Sequence, residues 1–212
     1  MRAKCITRLL VGAGLLAAAQ GATAGQIVGS AHDFSSKGWG SSEICIFCHA
    51  PHNNANVAGD VLWNHALSTA TYTLYSSPSM NATVTQPGGV SKLCLSCHDG
   101  TVAIDSYGAR TGTNFVTGGK NLGTNFSNDH PIGITYDAAL VTADGTLKAT
   151  TTAVTIGTGA QTKSGTIASV LLSAGKVECS SCHDVHNTFT SGGDLLKIAN
   201  TASGLCLTCH GK

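Results

Sequence analysis

At 212 residues the chain could form one large domain or two small ones, yet only 5% of it is aromatic and 11% charged, while Gly takes 26 positions. That is too little large apolar surface for an ordinary core, so the chain is expected to be mostly irregular unless something besides side chains supplies buried apolar area. The net charge of +1 carries no clustered excess of Lys and Arg, which excludes the electrostatic footprint of a nucleic-acid binder.

The first eight residues hold Arg2, Lys4 and Arg8 and lead into an apolar run from Leu9 to about Ala19, followed by the small residues Ala22-Thr23-Ala24. This three-part form reads as a secretory signal peptide over residues 1–24, with an apolar run too short for a comfortable membrane span. Cys5 precedes that run and leaves with the signal. The expected mature chain keeps eight cysteines, nine basic and eleven acidic side chains, and so a charge of about −2. No later stretch has the apolar length of a membrane helix, so the product is expected to be secreted, either extracellular, at the cell surface, or periplasmic.

His32 lies about eight residues into the mature chain, on an arm that could close on its own subunit or reach another. The first of four C-x-x-C-H motifs follows as Cys45-Ile46-Phe47-Cys48-His49, with His52 and Asn53 three and four residues beyond the histidine. His65 stands in Leu62-Trp63-Asn64-His65-Ala66, and Met80, the only mature methionine, in a polar loop beginning Ser76-Ser77-Pro78. The second motif is Cys94-Leu95-Ser96-Cys97-His98. Residues 111–177 are free of Cys and rich in Thr, Gly and Ala. They alternate over Gly133–Tyr136 and Ala153–Ile156, which predicts a small β-rich insert, with Asp144-Gly145 as a turn between strands and a short helix over Ile167–Ala174. His130 falls in this insert, between Asn128-Asp129 and Pro131. The third motif, Cys179-Ser180-Ser181-Cys182-His183, is again followed by a histidine and an asparagine, His186 and Asn187. The fourth is Cys206-Leu207-Thr208-Cys209-His210.

C-x-x-C-H is the attachment signature of c-type haem (heme c). Two thiols three residues apart lie on one face of a helical turn, where both can form thioethers to the haem vinyl groups, and the next residue offers an imidazole to the iron. Secretion would make disulfides the default for paired cysteines, and C-x-x-C pairs also build zinc sites, but neither needs a histidine after every pair. With 9 histidines in 212 residues, chance would place one at all four positions on the order of 3 times in a million. Four covalently attached haems are therefore expected, on Cys45, Cys48, Cys94, Cys97, Cys179, Cys182, Cys206 and Cys209, with His49, His98, His183 and His210 as proximal ligands.

Five histidines remain for four sixth positions. His52 and His186 are poorly placed to turn back to their own iron but can project toward an adjacent haem. His130 supplies the one long stretch that otherwise lacks a ligand, and His32 is the fourth choice. His65 follows an apolar pair and is taken as the spare, suited to packing or to a propionate. A C-x-x-C-H-x-x-H-N motif followed by a Cys-Leu-x-Cys-His motif occurs twice, so the chain divides into a dihaem unit (25–110), the insert (111–177) and a second dihaem unit (178–212). About 47 residues per haem is too little protein to wrap each ring, and the haems must lie close together, replacing the missing core. The expected fold is a mostly irregular multihaem cytochrome c, with short helices at the haem motifs and a small β insert, packed around a closely stacked haem array.

The segments CIFCHAPHN (45–53), LWNHA (62–66), KLCLSCHDGTV (92–102), DHPIG (129–133) and VECSSCHDVHN (177–187) together resemble the multihaem c-type cytochromes of metal-reducing bacteria, and among them the extracellular tetrahaem cytochromes that polymerise into haem filaments. That resemblance covers most of the mature chain. It implies bis-histidine ligation of every haem, with His32, His52, His130 and His186 as the distal set. It also implies a continuous haem stack and a histidine donated across the subunit boundary of a head-to-tail homopolymer, a contact that His32 near one end and the fourth haem at Cys206–His210 near the other would suit.

The expected function is electron carriage, without chemistry on a substrate, from periplasmic or outer-membrane cytochromes to extracellular acceptors, at the low potentials that histidine ligation favours over methionine. A soluble monomeric periplasmic shuttle is the nearest alternative. A multihaem reductase is the alternative from another class, and it would need an iron with an open position.

Overall fold

The computed structural model describes residues 26–52 and 61–211; the expected signal peptide and Asn53 lie outside the described residues. Most of the described chain is loop and turn, punctuated by α1 (Gly89–His98), α2 (Ala138–Asp144), α3 (Cys179–Cys182), α4 (Gly204–Cys209) and four strands. Three of the four helices contain a C-x-x-C pair, and the first motif makes a single turn in which the His49 N–H donates to the Cys45 carbonyl at 2.8 Å.

The strands form two small antiparallel pairs in the chain between the second and third motifs. β2 (Ala153–Thr158) and β3 (Gln161–Thr166) make a hairpin in which Ala153 faces Thr166 and Thr158 faces Gln161. β-Branched residues suit the ladder, and Gly157 is required near its tip, because a Cβ there would sit 2.0 Å from the Gln161 carbonyl oxygen. β1 (Ile134–Thr135) pairs with β4 (Lys176–Val177). This pairing closes the insert on itself and brings the chain just after His130 beside the chain just before Cys179.

Asp144-Gly145 is not the hairpin turn that its sequence suggests. Asp137 caps α2 by accepting from the Leu140 N–H, and the helix ends in Gly145 at φ +70°, the left-handed residue that terminates many helices. The hairpin turns instead at Gly159-Ala160. The helix expected over Ile167–Ala174 is shorter, a π-helical turn over Ile167–Leu171 that Thr166 and Ser169 cap reciprocally.

Among the described residues no single apolar cluster unites these pieces. One cluster gathers Tyr72, Leu95 and Phe126, with the Tyr72 and Phe126 rings stacked 5.1 Å apart, and a second gathers Ile156, Val170 and Leu171. Between α1 and α3, Ser91 donates to the Glu178 carboxylate and accepts from the Cys179 N–H at 3.0 Å, so a buried polar contact joins the second motif's helix to the third's. Leu95 is fully buried. Leu95→Ala should cost about 2–5 kcal/mol, the range for an unfilled leucine cavity, measured by denaturant unfolding of the holoprotein. A loss under about 1 kcal/mol would show that this cluster is dispensable.

Candidate haem-binding centres

Each motif presents its cysteines on one turn of helix. The His183 N–H donates to the Cys179 carbonyl at 3.1 Å and the His210 N–H to Cys206 at 2.9 Å, as His49 does to Cys45, while Cys94–His98 form the last turn of α1. None of the eight motif cysteines pairs in a disulfide. Interaction between the neighbouring Cys94 and Cys179 thiols lowers Cys179 to about 7 and pushes Cys94 up. Burial raises Cys48 to about 11 and Cys97 to about 12, the latter with a contribution from Cys48 nearby. Cys182 is raised by burial and then by Cys209. The first motif thus neighbours the second, the second the third, and the third the fourth.

Three proximal histidines share a feature that spacing alone does not reveal. His49 Nδ1 donates to the Val61 carbonyl at 2.5 Å, His98 Nδ1 to Lys120 at 2.8 Å and His183 Nδ1 to Asp194 at 2.8 Å. A carbonyl oxygen only accepts, so each Nδ1 carries the proton and each Nε2 keeps its lone pair for a metal. Short bridges support two of these arrangements, His49 with Trp63 and His183 with Leu196. Val61, Lys120 and Asp194 escape sequence reasoning because any residue can offer a backbone carbonyl.

Three histidine rings lie opposite proximal ones. His32 and His98 have centroids 6.0 Å apart, His49 and His186 6.1 Å, and His130 and His210 6.5 Å. Two imidazoles sharing one metal through bonds of about 2 Å would have centroids roughly 6 Å apart. His32, whose arm closes on its own chain, adds a second sign of fit. Its Nδ1 is buried with no hydrogen-bond partner, and burial, followed by His98, His183 and His186, lowers its pKa to about 4, keeping the ring neutral as a ligand must be.

The remaining histidines differ. His52 is exposed and makes no ring pair among the described residues, and His183 likewise makes no ring pair with a histidine, although it lies near enough to His32 to help lower its pKa. His65 is buried, with Nδ1 2.7 Å from the Ala66 carbonyl, Nε2 2.9 Å from the Ala103 carbonyl and the Cys97 sulfur 3.5 Å away, so both nitrogens are engaged by protein. Met80 sits in a turn closed by its N–H on the Ser77 carbonyl. A cavity of about 240 Å³ opens beside the third motif, lined by Cys179, Cys182 and His183 with Leu74, Leu122 and Phe126 among its apolar walls and His130 also at its surface. Its apolar character suits a flat macrocycle. When bound there, haem c would supply a one-electron iron couple, while these side chains attach it, orient it and exclude water.

Cys206→Ser combined with Cys209→Ser should lower the intact mass of the holoprotein by one haem. An unchanged haem content would remove the fourth motif from the attachment sites.

No curated protein matches the chain. Residues 172–212 match the family described as the doubled CXXCH motif, a match that spans the third and fourth motifs. Together with the geometry above, it indicates a multihaem c-type cytochrome with covalently bound haem c.

Proposed function

We propose that this protein carries electrons through four bis-histidine haems and performs no chemistry on a substrate. The observation that carries this reading is the set of histidine pairs with room for one metal atom between them: His98 with His32, His49 with His186, and His210 with His130. Two histidine ligands leave an iron no open position, which disfavours a reductase and favours a low potential. The close sequence of motif contacts supports short distances between neighbouring haems, including across Cys94 and Cys179. Reduced protein should not respond to carbon monoxide at neutral pH. His186→Ala should open one iron per chain to it, seen as a shift of about a quarter of the Soret band, whereas carbon monoxide binding to the unaltered protein would favour the reductase.

The fourth pair leads to a second part of the proposal. His183 is the proximal histidine and His52 the distal candidate left over, and the repeat supports matching them, because His186, three residues after His183, already faces His49. With His52 exposed, we assign it to His183 of a second copy, so that copies join head to tail into an extracellular filament that passes electrons to acceptors outside the cell. Negative-stain electron microscopy of the unaltered protein and of His52→Ala tests this. Filaments that disappear in the variant support an intersubunit iron bond at His183. Compact particles in both, with every iron still six-coordinate in the unaltered protein, would close the pair within one chain and make the protein a soluble shuttle.

A further inference from the structure

Among the described residues there is one ion pair, between the Lys120 ammonium and the Asp194 carboxylate, 74 positions apart in sequence. Its side chains are 64% and 67% exposed, so as a surface bridge it contributes little to stability. Its location is more informative than its strength. The backbone carbonyl of Lys120 is the acceptor for His98 Nδ1, and that of Asp194 is the acceptor for His183 Nδ1. Both residues lie in short 3-10 turns, Gly118–Lys120 and Gly193–Leu195, and Asp194 sits at φ +56°, in the left-handed region that Asp enters more readily than most residues. The turns are tied back to their motifs by the Leu122 N–H on the His98 carbonyl at 2.7 Å and the Asp184 N–H on the Leu195 carbonyl at 2.9 Å. Each proximal histidine is therefore held by a turn, and the two turns hold each other.

We propose that Lys120 and Asp194 are positioning residues that fix the Nδ1–H···O=C bonds of His98 and His183 as one unit, so that the electron affinities of the two haems on these histidines are set together. This rests on the haem reading above. A firm bond from Nδ1–H to a carbonyl makes the imidazole a stronger electron donor through Nε2 and favours ferric iron, so loosening both turns should raise both potentials. Charge alone would act differently. Losing the ammonium lowers nearby potentials, losing the carboxylate raises them, and losing both largely cancels.

The test is spectroelectrochemical titration of the holoprotein, with low-temperature electron paramagnetic resonance as a second readout, for Lys120→Gln, Asp194→Asn, the double variant, and the exchanged pair Lys120→Asp with Asp194→Lys. The proposal expects the double variant to raise two of the potentials together and leave the others in place, with all irons still low-spin and the two altered haems showing changed g-values. The exchanged pair, which rebuilds the tether with opposite polarity, should restore them. Opposite shifts in the single variants that cancel in the double variant would overturn the proposal in favour of simple charge, and so would movement of one haem only. If the unaltered protein lacked low-spin bis-imidazole haem, the haem reading itself would fail before any variant was compared.

Discussion

The hydrogen bond from a proximal Nδ1–H to a backbone carbonyl is the interaction on which much of this structure turns. A C-x-x-C-H turn aims an imidazole but leaves its rotation and tautomer open; a carbonyl on the far side settles both. To place those carbonyls the chain must return to three of the four motifs after an excursion, at Val61 for His49, Lys120 for His98 and Asp194 for His183. Much of the irregular backbone serves these returns. Segments with so little regular structure hold their positions because they end on a motif.

The same constraint accounts for the scarcity of ordinary core. Two small clusters, around Leu95 and around Ile156, anchor the helices and the hairpin, but neither spans the molecule. Elsewhere the motifs converge on one another through thiols and imidazoles, with Cys94 against Cys179 and His49 opposite His186. On the proposed reading, the large flat faces of haem would supply the apolar area that 5% aromatic content does not. Packing and electron transfer would then place the same demand on the fold, since haems close enough to replace a core would be close enough to exchange electrons.

Much of the site was legible in the sequence because its chemistry is local. Cysteine spacing and the adjacent histidine are set by one turn of helix, so four motifs can be read without knowledge of the fold. Long-range relations were less accessible. Spacing marked His130 and His186 as ligand candidates but did not show that they would face His210 and His49, an outcome that depends in part on the β1–β4 pairing bringing the insert back to the third motif. Asp144-Gly145 fits a hairpin turn and a helix end equally well, and the helix won because Asp137 caps it seven residues earlier. The backbone carbonyls behind the proximal histidines left no trace in composition. Among the cationic side chains, Arg110, Lys148 and Lys197 donate to the carbonyls of Trp39, Leu207 and Val170, and Lys120 pairs with Asp194.

The central claim is that the facing histidines are axial pairs on the same irons. Near-infrared magnetic circular dichroism of the oxidised holoprotein reports axial ligation directly, through the position of the porphyrin-to-iron charge-transfer band. The account predicts bis-imidazole bands whose summed intensity accounts for every haem in the chain. A histidine–methionine band, or a high-spin fraction equal to one or more haems, would contradict it.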